Sequence, residues 1–550
     1  MFLIFDTETT GLPRNYNAPL SDSENWPRVV QIAWQLHNVQ GGLISANSII
    51  VKPEGFTIPF NASQVHGIST ERALSEGSDL QIAMNEFVEA VKQSKYLCGH
   101  NIEFDLSIVG AEFVRLGITD EFSGKAVLDT KNDAVTEFCA IAGGKGGKYK
   151  WPKLSELYKK LFNEGFEEAH NAAFDVMATA KCFFALLKQN IIKVSELSPT
   201  EIETLNYIAP DLSKLLADEK ALKNQDIRDK AQETPLTSQV SNLKSQISFT
   251  HLHNHTQYSV LQATTDIDEL VKRAIDWGCP ALAISDLGNM YGAFIFWQSV
   301  EKQNKYTKAH NEAIDKGEKQ GAKKQELKAI IGCELYICKD RADKKTQDNG
   351  FTQVFLAKNK AGYQNLSKLS SIGFTEGFYY VARIDREALS RYKDGLIATT
   401  GSLSGEIPNL ILNVGETQAE EAFVWWKEQF GEDFYVELNN HNLPEESVVN
   451  EVLLRFAKKY DVKYFAANNN YYLDKKNATA HDVLLCVKDG QLKETPIGRG
   501  RGYRYGFPNN EFYFKSPAEM QKLFSDMPEA LEATNEIANK IESFKLGRDV

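Results

Sequence analysis

The sequence lacks several features that mark whole classes of protein. Its 550 residues contain seven cysteines, none in a Cys-x-x-Cys pair, which argues against a disulfide framework or a thiolate zinc site and favours the reduced cytoplasm. It has no apolar run of membrane-spanning length, and no basic stretch precedes its short apolar start, so we expect neither a membrane partner nor a secretion signal. The net charge of −12 argues against holding nucleic acid by bulk electrostatics.

Length and composition predict a multidomain globular protein. The chain is 42% hydrophobic and 25% charged, which is ordinary for soluble proteins, and it is too long for a single hydrophobic core. Both halves mix strand and helix patterns, so we predict the α/β class. We divide the chain into a first domain at about 1–192, a polar, flexible linker at 193–247 and a second domain at 248–550.

The first eleven residues contain the strongest chemical signal. The run from Phe2 to Phe5 predicts a short buried strand that leads into Asp6 and Glu8. Side chains two residues apart share one face of a strand, so the two carboxylates project together. Such a pair is costly unless it is neutralised, and a divalent metal is the usual partner. The alternative interpretation is an acidic strand end at the surface.

Two later segments supply further candidate ligands. A strand from Tyr96 runs into a polar turn that ends at Asp105, and a helix predicted from about residue 172 has Asp175 in its first turns. His170 lies five residues before Asp175, or about 140° around a regular helix. Both side chains can face one site only if His170 lies on the preceding loop, and we place it there.

These residues resemble the signature of the DEDDh 3′→5′ exonucleases, which have an RNase H-like fold with a mixed sheet flanked by helices. The motifs Asp-x-Glu, Asn-x-x-Phe-Asp and His-x-Ala-x-x-Asp occur in the family's order, and the resemblance covers nearly all of residues 1–190. It implies a catalytic set of Asp6, Glu8, Asp105, His170 and Asp175. The substrate contacts that it implies are Thr7, Thr9, Val65, His66 and Asn101.

The chemistry of this set follows from its charge. Four carboxylates about 5 Å apart repel one another by roughly 3 kcal/mol per pair at an effective dielectric constant near 20. The site must therefore bind cations or take up protons. Two Mg²⁺ or Mn²⁺ ions held by Asp6, Glu8, Asp105 and Asp175 would support in-line hydrolysis of a phosphodiester. His170, which titrates near neutrality, is suited to accept the proton of the attacking water.

The second domain opens with His251, His253 and His255, which alternate along a predicted strand and can offer imidazole ligands to a metal. The segments that follow alternate between strands and helices. This alternation predicts a parallel sheet, here closed into a barrel.

The second domain resembles the PHP domain of bacterial DNA polymerase III alpha subunits, the C-family replicases. The matching segments are 251–259, 280–289, 331–334, 356–366, 400–406, 480–486 and 514–520. The resemblance implies a distorted (βα)7 barrel. Members with phosphoesterase activity hold three metals with about nine His, Asp, Glu and Cys side chains, and here His253, His255 and Glu334 occupy matching places.

The remaining ligand positions carry no acidic group. They are occupied by Gln262, Leu287, Thr352, Ser402, Asn469 and Tyr471. Three dications cannot be compensated by two imidazoles and one carboxylate. We therefore expect a catalytically inactive barrel that holds no metal or a single weakly bound zinc.

Two basic segments are candidate interaction surfaces. Between residues 301 and 328, a Lys-rich run that we predict to be helical interrupts the barrel pattern. A run of this kind is usually a solvated helix face, and the alternative is a contact with DNA or a replisome partner. A second, weaker candidate is formed by Arg499, Arg501 and Arg504.

The two resemblances together imply the N-terminal part of a replicase that proofreads its own product. The expected substrate is a DNA 3′ end, single-stranded or frayed from its template. The expected partners are the polymerase core domains of a longer protein and replisome components such as the sliding clamp. The sequence has no Pro-Asp-x-Asp-x-Asp segment of the kind that carries the polymerase aspartates. The alternatives are an RNA 3′-end-trimming enzyme that uses the same five residues, and a PHP scaffold for partner docking.

Overall fold

The computed structural model describes residues 1–144, 147–165, 171–211, 248–498 and 502–547. His170, Arg499, Arg501 and most of the predicted linker lie outside these residues. The chain divides into two compact units, the first with the described residues up to 211 and the second with nearly all those from 248. Among the described helices, none combines the length and the apolar character needed to cross a membrane.

The first unit is built on a mixed five-stranded sheet with the order β3-β2-β1-β4-β5. Strands β1, β2 and β3 are antiparallel neighbours, whereas β1, β4 and β5 run parallel, as the predicted fold class requires. The strands are β1 Phe2–Thr9, β2 Val29–His37, β3 Leu43–Ile50, β4 Tyr96–Gly99 and β5 Ala126–Asp129.

Helices cover both faces of this sheet, and β1 contributes to both cores. Phe2 and Ile4 pack on one face with α7, while Leu3 and Phe5 pack on the other with α3 and α4. The period of two along β1 therefore buries its first half on both sides. The helices are α1 Phe60–His66, α2 Thr70–Glu76, α3 Leu80–Gln93, α4 Ile102–Leu116, α5 Asp133–Cys139, α6 Leu154–Phe162, α7 Ala172–Lys188 and α8 Pro199–Glu203.

The second unit contains a seven-stranded sheet with the order β12-β11-β10-β8-β7-β6, in which β9 pairs with β7. Bridges from His251 to Leu282 and from Asn254 to Asn470 link the opening segment to both ends of this order. The strands are β6 Ala281–Leu287, β7 Lys328–Ile337, β8 Phe351–Ala357, β9 Arg383–Ile384, β10 Leu396–Thr399, β11 Phe434–Asn439 and β12 Tyr464–Ala467.

The predicted parallel sheet is interrupted at β8, which runs antiparallel to both β7 and β10. The connection between β7 and β8, residues 338–350, contains no helix. A parallel pair needs a crossover connection, usually a helix, that carries the chain back along the sheet, and this segment supplies no such helix.

The helices of the second unit precede, separate and follow these strands along the chain. The Lys-rich run is helical only as far as Asp315 and continues without regular structure to Lys328. The helices are α9 Ile267–Asp276, α10 Ala293–Asp315, α11 Lys360–Thr375, α12 Arg386–Tyr392, α13 Glu406–Asn413, α14 Glu416–Phe430, α15 Pro444–Tyr460, α16 Ala478–Asp489, α17 Pro517–Leu523 and α18 Pro528–Lys540.

Candidate functional site

An acidic cluster lies at the carboxyl end of β1, between α4 and α7. Asp6 and Glu8 share one face of the strand, and Asp175 reaches them from the first turn of α7. One carboxylate oxygen from each of the three residues lies within 4.8 Å of the others. Carboxylate oxygens are the ligands that Mg²⁺ and Mn²⁺ prefer, so this donor set fits hard divalent cations.

Asp105 joins the cluster from the opposite face of β1. It lies in the first turn of α4 rather than at the end of a strand-and-turn segment, and only 3% of it is exposed. Its Oδ1 accepts hydrogen bonds from the Thr7 backbone N–H at 3.0 Å and from the Thr7 hydroxyl at 2.7 Å. Thr7 is buried, and both of these bonds hold the Asp105 carboxylate in place.

Burial raises the pKa values of three carboxyl groups in this cluster, those of Asp6, Glu8 and Asp105, and their mutual repulsion contributes to the shifts. Burial, reinforced by Asp175 and Asp105, raises the pKa of Glu8 to about 8. Burial raises the pKa of Asp105 to about 7, although the two hydrogen bonds from Thr7 oppose the shift. Burial and the neighbouring carboxylates also raise the pKa of Asp6. At neutral pH the cluster therefore carries protons unless cations replace them.

The other predicted substrate contacts differ in their exposure. Val65 is 55% exposed, whereas His66 is buried and its Nδ1 accepts the Ile68 N–H at 3.2 Å. The Thr9 hydroxyl donates to the Gly11 carbonyl at 2.7 Å. Asn101 is exposed and precedes α4 with a left-handed backbone at φ 70°.

The second unit brings together the PHP residues predicted as a metal remnant. His253 Nε2 lies 3.6 Å and His255 Nε2 lies 3.2 Å from Glu334 Oε2, and all three side chains are buried. None of these three atoms has a conventional hydrogen-bond partner, so the donor set fits a single dication of the zinc type. His251 is not part of this group, because its Nε2 pairs with the Lys515 carbonyl at 2.8 Å.

Glu437 is a member of this site that the sequence reasoning missed. It lies on β11 with 1% exposure, and its Oε1 lies 2.7 Å from His253 Nδ1. Although burial lowers the pKa of His253, Glu437 and Glu334 raise it to about 10. The sequence does contain a signal for Glu437, because it is a charged residue inside the mainly apolar strand Phe434–Asn439. A fully buried Glu is rare without a partner, so such a residue indicates a polar site.

The second imidazole, that of His255, is anchored in a similar way by neighbouring side chains. His255 Nδ1 lies 3.0 Å from the Ser259 hydroxyl, which donates to Asp286 at 2.8 Å. The ring of Tyr471 is stacked on His255 with centroids 4.2 Å apart. An aromatic ring therefore lies directly against this imidazole.

Several side chains of the two basic segments form ion pairs within the protein. Arg504 is buried and forms a bidentate ion pair with Asp482 at 2.6 and 2.9 Å, so it is not available to bind DNA. In the Lys-rich run, Lys308 pairs with Glu326 at 3.3 Å and Lys324 pairs with Asp276 at 2.9 Å.

Comparison with protein families assigns a class to each unit. Residues 3–183 match the exonuclease family, and residues 251–441 match the PHP domain family. The chain therefore combines an exonuclease domain with a PHP domain.

The curated relatives are replicative polymerase subunits. The chain is 37% identical over 302 residues to DNA polymerase III subunit alpha of Borreliella burgdorferi, covering 54% of this chain and 24% of the relative. It is 36% identical over 304 residues to the Campylobacter jejuni protein, covering 53% and 23%. It is 36% identical over 305 residues to the Thermus aquaticus protein, covering 54% and 22%. The matches thus span about a quarter of the length of these relatives.

Among solved structures, the chain is similar to E. coli exonuclease I in complex with a dT13 oligonucleotide. The identity is 21%, the match covers 34% of this chain and 40% of that chain, and the TM-score is 0.28. A structure of exonuclease I without ligand matches at 17% identity, with 41% and 46% coverage and a TM-score of 0.28.

Proposed function

We propose that the first unit is a metal-dependent 3′→5′ exonuclease that removes nucleotides from DNA 3′ ends. The observation that carries this proposal is the convergence of Asp6, Glu8 and Asp175 within 4.8 Å, with Asp105 held beside them by Thr7. Buried carboxyl groups whose pKa values are raised by one another need a compensating cation, and nuclease chemistry uses a pair of such ions.

Each residue of the site has a distinct task in this proposal. Asp6, Glu8, Asp105 and Asp175 would hold two Mg²⁺ or Mn²⁺ ions, which activate water and stabilise the leaving 3′-oxygen when bound. Thr7 keeps Asp105 oriented, so the carboxylates that approach from the two faces of β1 keep a fixed position relative to one another. His170 is the proposed acceptor of the proton that the attacking water loses.

DNA rather than RNA is the proposed substrate, with the chain acting in proofreading as part of a replicative polymerase. Support comes from the exonuclease family match and from relatives that are DNA polymerase III alpha subunits. The proposed partners are polymerase core domains and the sliding clamp, and the proposed location is the cytoplasm. Digestion of a 3′-mismatched DNA primer, compared with a matched primer and with RNA, tests this assignment. Faster removal from RNA than from DNA would favour the RNA-trimming alternative.

The PHP unit is proposed to be a structural or docking module without phosphoesterase activity. Its donor set of two imidazoles and one carboxylate fits at most one dication. Tyr471 and Leu287 stand where further ligands would be needed. Retention of exonuclease activity when Glu334 is changed to Gln would agree with this division of roles.

A further inference from the structure

Asn101 occupies the N-cap position of α4 and yet does not cap the helix. Asparagine is among the strongest N-cap residues, because its side-chain oxygen ordinarily accepts a backbone N–H from the first turn. Here its side chain makes no such bond, and its backbone is left-handed at φ 70° and ψ 40°. The first turn of α4 carries Asp105, so the capping arrangement lies one helical turn from the acidic cluster.

Asp129, at the end of the neighbouring strand β5, takes over the capping role. Its Oδ1 accepts the backbone N–H of Asn101 at 2.9 Å and that of Lys131 at 2.7 Å. Burial raises the pKa of Asp129, and the backbone N–H groups of Lys131, Asn101 and Ile102 oppose this shift. A carboxylate at this end of a helix is favoured by the helix dipole. Asp129 therefore caps the helix in place of Asn101, and the Asn101 side chain can bond to other groups.

A hydrogen bond from Lys131 then determines which end of the Asn101 side-chain amide faces outward. Its Nζ donates to Asn101 Oδ1 at 2.9 Å. An ammonium group can only donate, so the atom that faces it must be the amide oxygen. The Nδ2 group, which carries two N–H donors, is left as the outward end of the side chain.

Asn101 lies at an open groove beside the first turn of α4, the turn that carries Asp105. Asn101 and Lys131 line this groove together with Asn132 and Trp151, and its volume is about 1070 Å³. Trp151 is half exposed, and an exposed aromatic face is a stacking platform for bases. A strand whose end lies at the carboxylates thus has a polar, partly aromatic surface beside it.

We infer that Asp129 and Lys131 are positioning residues that free the Asn101 amide from helix capping and present its N–H donors to an oxygen acceptor of the bound polynucleotide. The acceptor is a phosphate or sugar oxygen near the scissile bond. The inference rests on the proposed function, because it names how the same site orients its substrate.

The test is a double-mutant cycle on KM. Asn101→Ala and Lys131→Met should each raise KM for a single-stranded oligonucleotide about three- to ten-fold, the range expected for one lost hydrogen bond. The two increases in KM should not multiply in the double variant, because both changes remove the same interaction. Lys131→Arg, which keeps a donor, should restore most of the affinity. Lys92→Met removes the same charge from the exposed face of α3, where Lys92 pairs with Glu89 at 2.9 Å, and should leave KM unchanged.

Several outcomes separate this inference from the proposed function. The unfolding temperature of each variant is measured, because a purely structural role would lower it and leave KM unchanged. Binding of a fluorescein-labelled oligonucleotide in Ca²⁺ is followed by anisotropy beside cleavage. Cleavage with an unchanged KM in Lys131→Met, or effects that multiply, would overturn the inference alone. Binding that weakens in Lys131→Met without any cleavage by the wild type would support the inference and refute the exonuclease. A wild type that neither binds nor cleaves would overturn both.

Discussion

Thr7 and Asp105 are separated by 98 residues in the chain, and the hydroxyl of the first donates to the carboxylate of the second at 2.7 Å. This bond crosses from β1 to α4. Because Thr7 lies between Asp6 and Glu8, it links the two carboxylates on one face of the strand to the Asp105 carboxylate that approaches from the other.

Replacing Thr7 by Val removes this hydroxyl at nearly constant volume. A buried carboxylate loses one donor, so we expect a loss of about 1–2 kcal/mol in unfolding free energy. We also expect weaker Mg²⁺ binding, which appears as a higher metal concentration at half-maximal cleavage. Chemical denaturation and a Mg²⁺ titration of cleavage check this. Thr204→Val is the matched control, because the exposed Thr204 hydroxyl donates only to nearby helix carbonyls, at 3.1 Å to Thr200 and 3.0 Å to Glu201. An unchanged Mg²⁺ requirement in Thr7→Val would contradict the proposed coupling.

The raised carboxyl pKa values predict an unusual pH dependence when metal is removed. The pKa of Glu8 is raised from 4.5 to about 8 in the folded protein, so the folded state keeps a proton that the unfolded chain releases. Stability should therefore fall as pH rises from about 4.5 to about 8 in EDTA, with a drop of several degrees in the unfolding temperature. Mg²⁺ or Mn²⁺ should remove most of this slope.

Asp6→Asn provides the control for this pH effect. It removes one of the repelling charges, so it should flatten the slope in EDTA and raise the unfolding temperature near pH 8 while eliminating cleavage. A slope that is equally steep in Asp6→Asn would show that other groups cause the pH dependence.

The sequence predicts the geometry of the acidic cluster where the side-chain periodicity of a strand or a helix determines it. The alternation along β1 predicts that Asp6 and Glu8 share a face, and the helical pattern after residue 172 puts Asp175 in a first turn. Asp105 was harder to place, because Gly99 ends β4 and the left-handed Asn101 starts α4 at once. The apolar strand pattern contains no sign of so abrupt a change.

The interactions that the sequence could not predict are those between distant residues. Glu437 meets His253 across 184 residues, and no local pattern links the two. The alternation of His251 with His253 predicted a shared role, but the segment forms only isolated bridges instead of a continuous strand. His251 therefore pairs with the Lys515 carbonyl, away from the other two imidazoles. The antiparallel direction of β8 was likewise set by a helix-free connection.

The PHP unit should retain no more than one metal ion per chain. Two imidazoles and one carboxylate cannot offset the charge of three dications. Metal analysis after dialysis against zinc, performed on Asp6→Ala to empty the exonuclease site, checks this count. His255→Gln should abolish any retained ion, whereas His310→Gln, at a partly exposed histidine of α10, should not. Three retained ions would contradict the assignment of an inactive barrel.

The central claim is that the carboxylates at the end of β1 serve hydrolysis of DNA from its 3′ terminus. The most direct measurement follows a 5′-labelled single-stranded oligonucleotide on a sequencing gel, with Mg²⁺, for the wild type and for Asp6→Ala and Asp175→Ala. The account predicts a ladder that shortens one nucleotide at a time from the 3′ end, and that disappears in EDTA and in both variants. An uncut wild-type substrate, or equal shortening in Asp6→Ala, would contradict it.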